Sequence, residues 1–343
     1  METHELATTG TASLATIGQA ANDAASEGVF TEYQTRKSKN TLRSQAVSLG
    51  AFAGFLATVG VYVDAGALAT QPTSWGGVTW GLVEGFRNAM VRDGYAVATV
   101  NARLSAVKTY AKLAAKAGVL DRQELAMLST VDGYSRKDAV RLDGHRKDAG
   151  IPTRVGDKKP AATPLSAQQA DDLKRQPDTP QGRRDRVIVS MLLDLGLRVG
   201  ELAALTVDAV DVGAGELYFY RPKVDLWQRH TLAVNGLLAT VKAYIEQDAP
   251  SEGPLLRSSV KGGNLSKAGM SERAITCRVR VLGESLGVDD LSAHDLRHSW
   301  ATRAAQHDTP AHSLTQAGGW SSYATAGRYI ANARIANAGV RFE

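Results

Sequence analysis

Apolar side chains recur at helical spacing along most of this chain and alternate at strand spacing only near its middle. From Asn40, a residue suited to an N-cap, positions Leu42, Ala46, Leu49, Phe52, Ala53 and Leu56 share one face, which predicts a helix to about Gly60. A second helix is expected from about Trp75 to Arg92 with Gly94 beyond its end, and a third over roughly 99 to 117, stopping at Gly118. In the third, Val100, Leu104, Val107, Ala111 and Ala114 line one face, while Lys108, Lys112 and Lys116 repeat every four residues on the other. Residues 134 to 160 read as a short helix followed by an extended linker through Pro152, Gly156 and Pro160. Beyond them, Ser166 and Gln169 form a capping-box pattern, and an apolar helix over 185 to 196 ends at Gly196. Residues 216 to 220 and 229 to 234 predict two strands joined through Lys223, and from 271 onward the pattern is helical again.

These elements predict a mainly α protein with a small antiparallel β-sheet. Its 343 residues suffice for two domains with separate cores. The expected organisation is a flexible segment at 1–35, a helical domain at 36–142, a basic linker at 143–164, an α+β domain at 165–331 and a tail at 332–343. The first thirty or so residues, rich in Ala, Thr, Ser and Gly, are expected to be partly without fixed structure.

Hydrophobic content of 43% and charged content of 22% are ordinary for a globular protein, so composition alone points to no special class. A net charge of +5 leans toward a polyanionic partner. Residues 44 to 63 carry no charge, but three glycines and a one-sided apolar pattern favour an amphipathic helix over a membrane span. The first residues lack the basic start and apolar run of a secretory signal. The single cysteine, Cys277, cannot form an intramolecular disulfide and is expected to pack in an amphipathic helix, which fits a reducing cytoplasm.

The positive charge is not spread evenly. Residues 134 to 160 carry Arg136, Lys137, Arg141, Arg146, Lys147, Arg154, Lys158 and Lys159 against four aspartates. With Arg43, Arg103, Lys108, Lys112 and Lys116, the residues Arg146, Lys147, Lys158 and Lys159 are the expected contacts to a phosphate backbone, because each neutralised phosphate releases counterions. A solvated helix face would look the same in sequence.

Six further residues carry chemistry. Arg198 stands in Leu-Arg-Val-Gly-Glu-Leu, Lys223 in Arg-Pro-Lys-Val, His294 and Arg297 in His-Asp-Leu-Arg-His, Trp320 in Gly-Gly-Trp, and Tyr329 in Gly-Arg-Tyr-Ile. A phosphodiester repels nucleophiles, and its transition state gathers charge on the non-bridging oxygens. Two arginines supply fixed, planar, permanently charged donors for those oxygens. The Trp320 indole N–H can donate to a third position. His294, three residues before Arg297 on one helix face, can hold a phosphate oxygen or take a phenol proton, and Lys223 on a hairpin tip can protonate the leaving oxygen. Tyr329 is then the nucleophile, storing the bond energy in a phosphotyrosine without metal or ATP. Lys242, Arg221 and Arg229 lie near enough to compete with Lys223, and Tyr323 competes with Tyr329.

These boxes resemble those of the tyrosine site-specific recombinases, or phage integrase family. His-Asp-Leu-Arg-His-Ser-Trp-Ala-Thr at 294–302 is similar to its His-x-x-Arg box, and Gly-Leu-Arg-Val-Gly-Glu-Leu at 196–202 to its first-arginine box. Gln-Ala-Gly-Gly-Trp at 316–320, nine residues before Tyr329, looks like the Cre branch, where tryptophan replaces the histidine of many relatives. The resemblance covers about residues 36 to 335. It implies a helical core-binding domain and a catalytic domain closing as a C-shaped clamp on duplex DNA. It further implies attack by Tyr329 to leave a 3′-phosphotyrosine and a free 5′-hydroxyl, with Glu201 supporting the site. Recombination would then proceed through a Holliday junction between synapsed sites, in a homotetramer that is monomeric off DNA. The fourteen residues after Tyr329 would contact a neighbouring protomer. A cytoplasmic, DNA-associated enzyme of a mobile element is the corresponding expectation.

Three other readings share parts of this pattern. A tyrosine transposase, telomere resolvase or type IB topoisomerase-like enzyme would keep the catalytic groups, and a non-catalytic DNA-binding regulator would keep only the basic surface. A metal hydrolase using His294, Asp295 and His298 lacks a recognised ligand spacing.

Overall fold

The computed structural model describes residues 13–156, 159 and 161–333, and the chain divides into two compact units between Lys158 and Lys159. In the N-terminal unit, α1 (Leu14–Glu27), α2 (Val29–Thr35), α3 (Lys39–Thr58), α4 (Ala65–Thr70), α5 (Trp80–Arg92), α6 (Val97–Lys116), α7 (Arg122–Ser129) and α8 (Arg136–Asp148) follow in order. Ser38, not Asn40, caps α3, its hydroxyl accepting from the Thr41 N–H at 3.2 Å. The segment expected to be flexible is helical from Leu14, and Val29 and Phe30 reach the core, Phe30 edge-on to Tyr110 at 5.7 Å. Two large apolar side chains so close in sequence anchor that stretch despite its small-residue composition. Trp75 is the centre of the unit, stacked on Tyr110 and Phe52 with its indole donating to Leu68 O at 2.9 Å. All five residues expected on the inner face of α6 are buried.

Helix α8 continues to Asp148, past the expected domain edge at 142. Arg146 is the reason. It is 3% exposed, pairs with Asp143 at 3.2 Å and donates to Val91 O at 2.8 Å, fastening the basic stretch to its own unit.

The C-terminal unit begins with α9 (Ala167–Lys174) and α10 (Pro180–Ser190), which widens into a π-helical turn over Met191–Leu195 before α11 (Val199–Ala203). A three-stranded antiparallel sheet follows, β1 (Val210–Asp211), β2 (Glu216–Arg221) and β3 (Leu226–Thr231), in that order across the sheet. In β2 the side chains of Leu217, Phe219 and Arg221 face inward and those of Tyr218 and Tyr220 outward. The second strand begins three residues earlier than expected because the hairpin turns tightly, pairing Arg221 with Leu226. Next come α12 (Leu237–Gln247) and an unforeseen two-stranded ladder, β4 (Arg257–Ser259) and β5 (Leu265–Gly269). Its strands are short and carry no apolar alternation to announce them. The unit closes with α13 (Glu272–Glu284), α14 (Ala293–Gln306), α15 (Ala311–Gly318) and α16 (Tyr323–Ala333). Its main core runs from α10 through the π turn to Leu296 of α14, and a satellite cluster joins α14, α15 and α16 around Ala305, Leu314 and Ala326. Cys277 is exposed on α13, contrary to the packing role expected of it. Among the described residues, no helix is long and apolar enough to cross a membrane.

Candidate active site

The π turn ends at Gly196, whose φ of 61° favours glycine and whose absent Cβ leaves room for the Trp300 ring, 2.2 Å from where that atom would stand. This reversal sets Arg198 at the N-cap of α11. Glu201, one turn on and buried, accepts from the Arg198 backbone N–H at 2.9 Å and from its Nη1 at 2.6 Å, so one carboxylate fixes both the helix start and the guanidinium. Arg198 Nη2 donates to Gly319 O at 2.6 Å.

Arg297 is 5% exposed in the second turn of α14. Its Nη1 donates to Gly196 O and its Nη2 to Gly318 O at 2.5 Å, so the two sequence boxes meet through backbone carbonyls. Burial, and then the nearby Arg198 and Arg221, push its pKa down to about 10 against the pull of Glu201, which still leaves it charged at neutral pH.

The other predicted groups arrive on α15 and α16. Trp320 follows Gly319, a left-handed residue with φ of 57°, and its ring stacks on Tyr329 at 5.6 Å with 15° between planes. The Arg297 guanidinium lies 5.3 Å from the Trp320 ring centre, and His298 meets Tyr329 edge-on at 5.0 Å. Burial raises the Tyr329 pKa, with Arg297 and Arg328 opposing, so the phenol is protonated at neutral pH. Tyr323 stands 64% exposed at the first residue of α16, outside the satellite cluster that takes in Tyr329. His294 is exposed in the first turn of α14, and Lys223 is exposed in the turn between β2 and β3.

Arg198, Glu201, Arg297, Trp320 and Tyr329 are therefore brought together. Arg221, expected only as a competitor of Lys223, joins them, as does His230, which carried no sequence signal. Arg221 is fully buried, with Nη1 3.9 Å from Glu201 and Nη2 3.3 Å from His230 Nε2. Burial, then Arg221 and Arg297, lower the His230 pKa to about 4. The alternation of Leu217, Phe219 and Arg221 along β2 was the one signal in sequence that Arg221 turns inward. The other competitors of Lys223 face solvent: Arg229 pairs with Glu216 at 3.4 Å and Lys242 with Glu246 at 3.8 Å.

The expected phosphate contacts separate into two groups. Arg43, Lys112, Lys116 and Lys147 are exposed. Arg146 is buried, Lys108 donates to Ser129 O and Val131 O at 2.9 and 2.8 Å, and Arg103 lies over the Tyr95 ring at 4.3 Å. Lys159 pairs with buried Asp295 and donates to Thr163 Oγ1 and Asp290 O. Internal acceptors thus hold Arg146, Lys108 and Lys159, which leaves the four exposed cations better placed for a phosphate backbone. Lys158 lies outside the described residues. Asp295 is likewise committed, its two oxygens accepting from Lys159, Ser292 and Thr163; burial opposes its charge, but these donors hold its pKa below the usual carboxylate value.

Comparison with known proteins gives a consistent result. Residues 164–334 match the phage integrase family. The tyrosine recombinase XerC of Roseiflexus castenholzii is 28% identical over 233 residues, 66% of each chain. XerC of Mycobacterium tuberculosis is 28% identical over 323 residues, 89% of this chain and 94% of the relative. Among solved structures, a lambda integrase dimer bound to a COC′ core site superposes with a TM-score of 0.60 at 14% identity, covering 92% of this chain and 95% of that one. XerH bound to a palindromic difH substrate superposes with a TM-score of 0.54 at 15% identity, covering 91% and 82%.

Proposed function

This chain belongs to the phage integrase family and is a tyrosine recombinase, a DNA strand transferase; from that premise we propose that Tyr329 cleaves one strand of a duplex target site by direct attack on phosphorus. The observation that carries the assignment is the ring contact of Tyr329 with Trp320, the same indole over which Arg297 lies. It delivers a protonated phenol to a site already lined by Arg198 and Arg297. In the step itself, the Tyr329 oxygen bonds to phosphorus while its proton passes to His294. The 5′-oxygen leaves, taking a proton from Lys223, and a 3′-phosphotyrosine remains. Reversal by a 5′-hydroxyl from another duplex reseals the strand with no external energy source. Arg198 and Arg297 each commit two donors to the protein, out of five on a guanidinium, so both keep N–H groups for phosphate oxygens.

Duplex DNA is the proposed partner, and the DNA named in the lambda integrase and XerH structures supports it. Strand exchange between two duplexes calls for synapsis of two sites, and a homotetramer is the proposed assembly. The Cre likeness rests on Gln-Ala-Gly-Gly-Trp at 316–320 and its spacing to Tyr329, whereas the curated relatives reported above are XerC proteins.

The test is to trap denaturation-resistant protein–DNA adducts in cells carrying the native locus, with wild type beside Tyr329→Phe, and to sequence the attached DNA. Adducts at one site with wild type and none with the variant are expected. Equal adducts from Tyr329→Phe would remove Tyr329 as the nucleophile.

A further inference from the structure

The last carbonyls of an α-helix have no partner within it. At the end of α15, four consecutive carbonyls are each taken by a side chain from elsewhere in the C-terminal unit. Gln228 Nε2 donates to Gln316 O and Arg221 Nη2 to Ala317 O, both at 2.8 Å. Arg297 Nη2 donates to Gly318 O at 2.5 Å and Arg198 Nη2 to Gly319 O at 2.6 Å. Two of these donors are the arginines assigned to the phosphate, and the other two come from the β2–β3 hairpin.

Arg221 is the least expected of them. It is fully buried, and its Nε and Nη1 have no hydrogen-bond partner among the described residues. Glu201 lies 3.9 Å away, too far for a hydrogen bond, and already holds Arg198 at 2.6 Å. A buried cation with idle donors is destabilising, so packing alone favours an apolar residue there. The backbone is also shaped to this side chain. A Cβ on Gly319 would stand 2.0 Å from Arg221 Nη1, so only glycine lets the turn before Trp320 close over the guanidinium. Arginine offers no lone pair, hence His230 Nε2 accepts from it and the imidazole faces it in the neutral form.

We propose that Arg221 is a positioning residue for strand cleavage, locking the end of α15 so that Arg198, Arg297 and the Trp320 indole converge on one phosphate. The role rests on the reading of Tyr329 as nucleophile. Arg221 itself does not touch the substrate. It holds Ala317 O, whose two following carbonyls orient the substrate-binding guanidinium groups, and a misplacement of about 1 Å in such a site costs on the order of a hundredfold in rate.

The experiment uses the full chain as wild type, Arg221→Met and Arg221→Lys, on a nicked duplex carrying the site recovered by adduct sequencing. Single-turnover cleavage by Arg221→Met is expected to fall about a hundredfold, with duplex Kd within about threefold of wild type. Arg221→Lys retains a donor for Ala317 O and is expected within about tenfold of wild type. A second readout needs no substrate. The amides of Gly319 and Trp320, bonded to Gln316 O at 3.0 Å and Thr315 O at 3.1 Å, should exchange hydrogen about tenfold faster in Arg221→Met. Cleavage within about threefold of wild type, unchanged exchange, or no recovery with lysine each overturns the proposal. If Arg221→Met does not fold, Arg221→Gln, neutral and too short to reach Ala317 O, takes its place under the same criteria: cleavage within about threefold of wild type removes the role. If wild type itself forms no Tyr329-dependent adduct, the functional reading has failed, and hydrogen exchange still decides whether Arg221 holds the turn.

Discussion

In the N-terminal unit, Arg43 of α3 and Lys112 and Lys116 of α6 stand in solvent, whereas in the C-terminal unit Arg198, Arg221 and Arg297 converge on the buried carboxylate of Glu201 and the end of α15. The first arrangement leaves each cation hydrated, mobile and screened by salt, which suits sequence-independent contact with a phosphate backbone. The second removes water and fixes direction before any substrate arrives, which suits stabilisation of charge that develops only in a transition state. Equal formal charges are thus prepared for different work, and substitutions should separate the two.

The largest effect is expected at Arg198. Arg198→Ala should slow single-turnover cleavage by about 10²–10³ while changing duplex affinity little, because the guanidinium–phosphate interaction strengthens as the phosphorane charge builds. A variant that loses affinity and rate in equal measure would place Arg198 with the solvated cations instead.

Next is Gly196→Ala, which tests whether the arginines depend on the backbone that holds them. A methyl group there meets Trp300 at 2.2 Å with φ at 61°. Strain and overpacking together should cost about 3 kcal/mol of stability. A thermal unfolding midpoint within a degree of wild type would show that the turn relaxes freely.

Much of this contrast could be read before the structure was known, and the part that could not has a physical cause. Arg198, Arg297, Trp320 and Tyr329 announce themselves because the proposed chemistry calls for their residue types and because each sits in a short box with its own glycines or helix cap. Arg221 does not, since its partner Ala317 lies 96 residues away and no local pattern pairs a strand residue with the end of a distant helix. Lys108 and Lys112 look alike on a helical projection. Only the packing of α7 beside α6 turns Lys108 onto the carbonyls of Ser129 and Val131 and leaves Lys112 in water. Arg146 escaped for the same reason, its acceptor being the carbonyl of Val91 on another helix.

His230 gives a smaller effect and a sign that can be checked. Its pKa falls from 6.5 to about 4 on folding, through burial and the cations Arg221 and Arg297. Between those values the unfolded chain binds a proton that the folded chain does not, so stability should fall as pH drops from about 6.5 to about 4, by on the order of 2–3 kcal/mol. His230→Gln keeps an acceptor for Arg221 and has no charge to gain, so its stability should change less across that window. Equal slopes for the two proteins would mean that other groups carry the acid sensitivity.

The smallest expected effect belongs to the solvated cations, and it sharpens the comparison most because it distinguishes neighbours on one helix. If Lys112 and Lys116 each neutralise a phosphate, replacing both with alanine should make the plot of log affinity against log salt shallower by about 0.9 for each phosphate no longer neutralised, with cleavage at saturating protein unchanged. Lys108→Ala should behave differently, leaving the salt slope alone and lowering stability by about 1 kcal/mol through the carbonyls it uncovers at the end of α7. Should Lys108→Ala change the slope while the double variant does not, the division between solvated and internally held cations in the N-terminal unit would be reversed, and the DNA-facing side of α6 would have to be redrawn.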